Sequence, residues 1–142
     1  MLDEKTVHEL IDSSQVARLA QLDNEQAVHA IPFVFARVGE MLYSPVDGKP
    51  KRHAALSRLN WIEKHPQVTV LIDHYEDNWE RLWWLRLYGE AVKVDRTDPH
   101  WDSAKRGLEK KYPQYEHVPM FKGAPTMLRI SVAKWKYWGA QA

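Results

Sequence analysis

Three cations, Lys49, Lys51 and Arg52, crowd the point where an amphipathic segment begins. Pro50 suits the first position of a helix, where a missing N–H costs nothing. Lys51 and Arg52 then fall in the first turn, beside backbone N–H groups that have no partner within the helix. A helix N-terminus already carries about half a positive charge, so cations there weaken an isolated helix. The same arrangement grips an anion well, and a phosphate suits it. A solvated basic loop is the other reading of these charges. Asp47, His74 and Tyr75 are further polar groups that a pocket could use. Asp73 and His74 are neighbours on one strand, so they point to opposite faces and make no dyad.

Other chemistry is missing from the sequence. It has no glycine-rich dinucleotide fingerprint, no phosphate loop of the nucleotide-hydrolase type and no Gly-x-Ser-x-Gly elbow. The seven histidines do not pair at metal-ligand spacing, so no metal site is expected. The absence of cysteine excludes disulfide and thiolate chemistry. Seven tryptophans are a heavy load for this length. Most belong in a core, but the grouping of Trp79, Trp83 and Trp84, and of Trp135 and Trp138, favours an interface or a ring-stacking site.

The elements that must position these residues follow from periodicity. Residues 2–11 read as a helix with Asp3 as N-cap and Val7, Leu10 and Ile11 on one stripe. Residues 16–22 and 26–38 read as strands joined at Asp23-Asn24-Glu25. Pro32 marks an edge or a bulge in the second strand, where backbone groups face a ligand or simply solvent. Residues 41–44 form a third strand. The helix after Pro50 carries Ala55, Leu56, Leu59 and Ile62 on one face and stops at His65-Pro66. Strands follow at 68–73 and 83–94, with apolar residues on both faces. Asp98-Pro99 reads as an N-cap and N1 pair opening a helix to about 110, and 127–137 is the last strand. Short turns and six strands favour a mainly β protein with flanking helices, an antiparallel closed or half-closed barrel, over an open α/β sheet.

The 142 residues suit one domain spanning 1–142. With 44% hydrophobic and 27% charged residues and a formal net charge of +1, the chain has no basic field for nucleic acid. No apolar run approaches the roughly 20 residues of a membrane span. The acidic, polar start Met1-Leu2-Asp3-Glu4-Lys5 is unlike a secretory signal, so a cytoplasmic location is expected.

The residues also carry a resemblance. The relevant pieces are Val16-Ala17-Arg18-Leu19-Ala20, the run Pro32 through Phe35, and Val46-Asp47-Gly48-Lys49-Pro50-Lys51-Arg52. Leu56-x-Arg58-Leu59-x-x-Ile62, Pro66-x-Val68, Leu71-Ile72-Asp73-His74-Tyr75 and Trp79-x-x-Leu82-Trp83-Trp84-x-Arg86-x-x-Gly89 complete the set. Together they resemble the pyridoxamine 5′-phosphate oxidase-like split-barrel superfamily, and within it the branch named as probable coenzyme F420-dependent oxidoreductases.

The resemblance implies a six-stranded antiparallel split β-barrel of the FMN-binding type and a homodimer with two flavin or deazaflavin sites at the interface. It implies that Lys49, Lys51 and Arg52 hold the cofactor phosphate, with Asp47 nearby. The ring would lie against strands two and three near Pro32, Phe33 and Ser44, closed by Trp79, Trp83 or Trp138 of the other subunit. The ring would carry a hydride to or from a small organic substrate without a protein acid or base. Coenzyme F420 is the expected cofactor and FMN the alternative. The deazaflavin's acidic tail gives Arg58 and Lys64 a role. A non-catalytic flavin- or haem-binding protein of the same fold is the alternative function.

Overall fold

The computed structural model describes residues 2–46 and 53–141, and for 53–56 the helical backbone. The chain runs α1 (Glu4–Ser13), β1 (Ala17–Leu22), β2 (Val28–Phe33), β3 (Ala36–Val38), β4 (Met41–Pro45), α2 (His53–Lys64), β5 (Gln67–His74), β6 (Trp83–Val94), α3 (Trp101–Lys111) and β7 (Met127–Gly139). The strands pair antiparallel in the order β2-β1-β5-β6-β7-β4-β3. β2 and β3 lie at opposite ends of that order, yet only Val34 and Phe35 separate them in the chain. Three Cα–Cα steps reach at most about 11 Å. The edges of a flat seven-stranded sheet would stand about 29 Å apart. The sheet therefore curls until its ends approach, a barrel split between β2 and β3.

The expected antiparallel split barrel is present, with seven strands among the described residues rather than six. The run 26–38 breaks after Phe33, not at Pro32. Pro32 stays within β2, opposite Arg18, and β2 is an edge strand, where a missing N–H is tolerated. Phe35 leaves the ladder and is fully buried. Its N–H donates to the Tyr112 hydroxyl (3.2 Å), which itself donates to the Gln15 carbonyl (2.9 Å). A tyrosine on the last turns of the α3 region thus replaces the strand partner that Phe35 gives up.

Alternation along the strands fills the barrel. Val68, Val70 and Ile72 of β5 and Leu85, Leu87 and Ala91 of β6 point inward, joined by Leu19, Leu42 and Ile130. Val7 and Ile11 of α1 and Ile62 of α2 close this core. Asp3 caps α1 as expected, its carboxylate accepting the Thr6 N–H (2.9 Å). At Tyr88/Gly89 the β6–β7 ladder slips by one residue, passing over Ala133.

A second cluster lies outside the barrel, where Trp101, Ala104 and Leu108 of α3 meet Ala36, Tyr43 and Met127. Asp98 is not the N-cap of α3, as its sequence position suggested. That place belongs to His100, without a side-chain cap. The buried Asp98 carboxylate instead accepts from the Tyr43 hydroxyl (2.8 Å), Arg129 (2.7 Å) and the His100 N–H (2.8 Å). These bonds fasten the start of α3 to β4 and β7. Among the described residues, no helix is long and apolar enough to cross a membrane.

Candidate functional site

Alternation along β1 puts Ala17, Leu19 and Gln21 on the inner face. Gln21 is only 3% exposed, so an amide occupies a core position. Its Nε2 donates to the backbone carbonyl of Arg58 on α2 (3.2 Å). Its Oε1 is buried and has no partner among the described residues. An unpaired buried acceptor costs roughly 1–3 kcal/mol, so its retention asks for a reason.

Gln21 lines a cleft of about 260 Å³ between β1, β2, β4 and α2. Pro32 and Phe33 of β2, Ser44 of β4 and Arg58 of α2 line it too, with Leu59, Ile62 and Leu128 as apolar walls. Pro32, Phe33 and Ser44, which the sequence set against a ring, therefore share one cavity. Ser44 is buried and lies on the inner face, two residues from Leu42. Burial pulls the Arg58 guanidinium below its ordinary value, and it forms no ion pair among the described residues. Helix α2 is held over β2 by the His29 ring stacked on Trp61 (4.5 Å), while His29 Nε2 meets Asp23 Oδ2 (2.8 Å). Asp47, Lys49, Lys51 and Arg52 lie outside the described residues. The segment that carries them leaves Val46, which lines the cleft, and leads into α2, whose Arg58 lines it.

The cleft is mostly apolar and carries one half-buried cation, Arg58, within a split barrel. The sequence matches the pyridoxamine 5′-phosphate oxidase family over residues 3–139. The chain belongs to this family. Solved structures share its fold at low identity. A conserved hypothetical protein from Mycobacterium tuberculosis is 14% identical, with 99% of this chain and 87% of that chain covered and a TM-score of 0.77. An FAD-binding protein from Mesorhizobium loti is 17% identical, with 96% and 92% covered and a TM-score of 0.69. The haem storage protein of Vibrio cholerae is 14% identical, with 98% and 95% covered and a TM-score of 0.69. No curated protein matches the sequence.

In this pyridoxamine 5′-phosphate oxidase family chain, Trp79, Trp83 and Trp138, expected to close the site from the other subunit, do not line the cleft of their own chain. Trp83 faces the open end of the barrel, stacked between His74 and Tyr137 (6.3 Å from each) in a groove of about 1020 Å³. Trp79, in a 3-10 turn, is 68% exposed. Trp138 is 45% exposed on the outer face, stacked on Trp84 (6.5 Å), with the Arg86 guanidinium 4.5 Å from the Trp84 ring. Asp73 pairs with Arg18 (3.0 Å) and His74 with Glu76, so the two are not a dyad, as their alternation required. Lys64 is exposed at the end of α2.

Three further groups were not singled out in the sequence. His8 lies 3.7 Å from Glu4 and 3.8 Å from Glu40, three potential ligands on α1 and the β3–β4 turn. The carboxyl of Glu40 is raised by its hydrogen bond to Glu4 and by that group's charge. Lys111 lies with Nζ 3.6 Å from the centre of the Phe35 ring, and burial pulls its amine down to about 8. Gln21 is the third, and it had a signal: a polar side chain at an inward position of the Ala17, Leu19, Gln21 alternation.

Proposed function

We propose that the cleft between β1, β2, β4 and α2 holds the ring of a flavin or deazaflavin, and that the protein is an oxidoreductase acting on a small organic substrate. The observation that carries this reading is the one cleft that brings Pro32, Phe33 and Ser44 together with the half-buried Arg58, among mostly apolar walls. A flat heterocycle with carbonyl groups on its edge suits that lining, whereas a hydrocarbon ring would leave the guanidinium and the Ser44 hydroxyl unpaired. Lys51 and Arg52 carry the phosphate, supported by their sequence position just before α2 (His53–Lys64) and by the cleft-lining Val46 and Arg58 on either side of their segment.

A bound ring of this kind supplies hydride transfer. The chain's part is to hold and orient it. Leu59, Ile62 and Leu128 exclude water from one side. Phe33, 5.6 Å from Phe35, stiffens the wall beside Pro32. Coenzyme F420 is the favoured cofactor, on the Asp-Gly-Lys-Pro-Lys-Arg and Leu-Trp-Trp motifs, and FMN is the alternative. The deazaflavin's acidic tail makes its binding fall more with added salt than FMN binding does.

The protein is further proposed to work as a homodimer. Outward-facing Leu71, Trp84, Tyr88 and Trp138 on β5, β6 and β7 leave apolar surface uncovered in the single chain. A partner supplies the cover, and obligate interfaces commonly bury more than about 2,000 Å². Light scattering at micromolar concentration tests this, and a monomer refutes it.

Absorption spectra of the purified protein, before and after adding FMN, F420 and haem, test the function. A shifted flavin or deazaflavin spectrum with quenched tryptophan fluorescence is expected. A haem spectrum with no response to either ring cofactor would overturn the oxidoreductase reading in favour of a haem-binding role.

A further inference from the structure

The histidines do not pair with one another in the sequence, but His8 stands between two carboxylates. Glu4 precedes it by one turn of α1, so both side chains lie on one helix face. Glu40 comes from the turn between β3 and β4. His8 Nε2 lies 3.7 Å from Glu4 Oε1 and 3.8 Å from Glu40 Oε1, and all three ligand atoms fall within 4.8 Å of one another. A direct N–H···O bond closes to about 2.7–3.2 Å. His29 reaches Asp23 in that way, at 2.8 Å. His8 makes no such bond to either glutamate. A divalent ion such as zinc holds nitrogen and oxygen ligands at about 2.0–2.2 Å, which sets tetrahedral neighbours about 3.4 Å apart. The separations at His8 are close to that spacing, and both glutamates are exposed and free to close the difference.

The elements that carry the three ligands are fastened to each other without them. Arg37 grips Asp12 of α1 through Nε and Nη2, at 2.8 Å each, and its Nη1 donates to the Gly39 carbonyl at 2.9 Å. The Glu40 carbonyl accepts from the Val132 N–H at 3.1 Å. The Arg37 charge is matched by Asp12, which leaves two carboxylates sharing one imidazole. The cluster borders a cavity of about 360 Å³ whose walls include Leu42, Leu87, Val132 and Trp135. That cavity shares no lining residue with the ring cleft.

We propose that Glu4, His8 and Glu40 form a binding site for a first-row divalent metal ion, Zn²⁺ suiting the donor set best, at the edge of this second cavity. An imidazole nitrogen among the ligands disfavours Mg²⁺ and Ca²⁺, which take oxygen. Three protein ligands leave a four-coordinate ion one position for water or a small anion. The ion offsets the two carboxylate charges and ties α1 to the β3–β4 turn. The site stands whether or not the other cleft holds a ring. Its plain rival is a set of exposed ion pairs around a protonated histidine, which contribute little and need no metal.

The test uses untagged protein stripped of metal by a chelator and titrated with Zn²⁺ by calorimetry and with Co²⁺ by visible absorption and tryptophan fluorescence. Wild type is expected to bind one ion per chain, with Co²⁺ quenching Trp135 beside the site. Zn²⁺ at about 100 times its Kd should raise the melting temperature by about 8 °C. His8→Ala and Glu40→Gln should each weaken binding at least roughly tenfold, since losing a mere hydrogen-bond partner of a metal ligand costs that much. Without metal, Glu40→Gln should melt at or above the wild-type temperature, because it separates two like charges. His117→Ala, at an exposed histidine on another element, should bind as wild type does. A wild type that binds no ion at one per chain overturns the proposal. An ion held as tightly by His8→Ala and Glu40→Gln as by wild type sits elsewhere and overturns it too. So does a Glu40→Gln protein that melts lower without metal yet gains as much from Zn²⁺ as wild type, which marks a structural ion pair.

Discussion

Gly89 is the position where one added carbon should do most damage. A Cβ built there would lie 2.3 Å from the Ser131 carbonyl oxygen, 3.0 Å from its carbon and 3.2 Å from Ile130 Cγ2. Close carbon–oxygen contacts settle near 3.3 Å, so the shortfall is about 1 Å. The obstacle is backbone, fixed in the β6–β7 ladder at the slip beside Tyr88, and it cannot swing aside as a side chain would. Forcing an extra carbon into a close-packed site costs about 3 kcal/mol at the upper end of the usual range. Alanine in place of glycine recovers about 0.7 kcal/mol by stiffening the unfolded chain. Gly89→Ala should therefore lose about 2 kcal/mol, or about 7 °C in melting temperature for a domain of this size. Gly39 is the contrasting case. It has a φ of +62° and open space around the position of a Cβ, so Gly39→Ala should lose only about 1 kcal/mol, from backbone strain alone. Urea unfolding of both variants checks the argument. A loss below about 0.5 kcal/mol for Gly89→Ala, with an unchanged slope, would refute the claim that the close approach fixes this glycine.

Three further outcomes are expected. Lys51→Ala with Arg52→Ala should weaken FMN binding at least about tenfold in a fluorescence titration, with stability unchanged or slightly raised, because cations at a helix start are unfavourable without an anion. Asp98→Ala should cost about 3 kcal/mol in urea unfolding, because it strands Arg129 and the Tyr43 hydroxyl, which burial and then Asp98 push up to about 12. Burial opposes the Asp98 charge, but the bonds from His100, Tyr43 and Arg129 hold its carboxyl below the ordinary range. Its contribution is thus present above the unfolded value of about 3.9 and is lost as pH falls through the lower folded value, a slope that Asp98→Ala should flatten. Lys111 runs the other way. With its folded amine near 8 and the unfolded one at 10.5, the unfolded chain binds more protons between those values, so stability should rise with pH from about 8 upward. Lys111→Met should remove that rise in denaturant midpoints measured across pH 7.5–9.5.

The architecture was legible because period and punctuation agreed. The inward sets Val68, Val70, Ile72 and Leu85, Leu87 follow strict alternation, and His65-Pro66 ended α2 where the preproline restriction requires. The break after Phe33 was not legible, because Val34 and Phe35 are good strand residues. What removes them from the ladder is Tyr112, 77 residues away, offering its hydroxyl to the Phe35 N–H. Asp98 failed for a similar reason. Asp-Pro is a sound cap signal by itself, but Tyr43 and Arg129 recruit the carboxylate from another layer. In both cases a partner remote in sequence overrode a local preference.

The site divides along the same line. Pro32, Phe33 and Ser44, which only the family resemblance set side by side, line one cleft; of the three, Pro32 alone carried a local signal, a proline within a strand. Gln21 is the same kind of anomaly and passed unnoticed among polar neighbours near the Asp23 turn. Its amide depends on α2, since the Arg58 carbonyl holds the Nε2 while the oxygen stays buried and unpaired. The tryptophans are a different case. The expectation concerned Trp79, Trp83 or Trp138 of a second copy; within one chain Trp83 stacks between His74 and Tyr137, and Trp138 stacks on Trp84 across the outer sheet. Aromatic abundance reports surface to be covered, whereas a lone polar atom in the core reports a missing partner. The two signals differ in kind, because an apolar face accepts many neighbours and an unpaired carbonyl oxygen accepts only a donor.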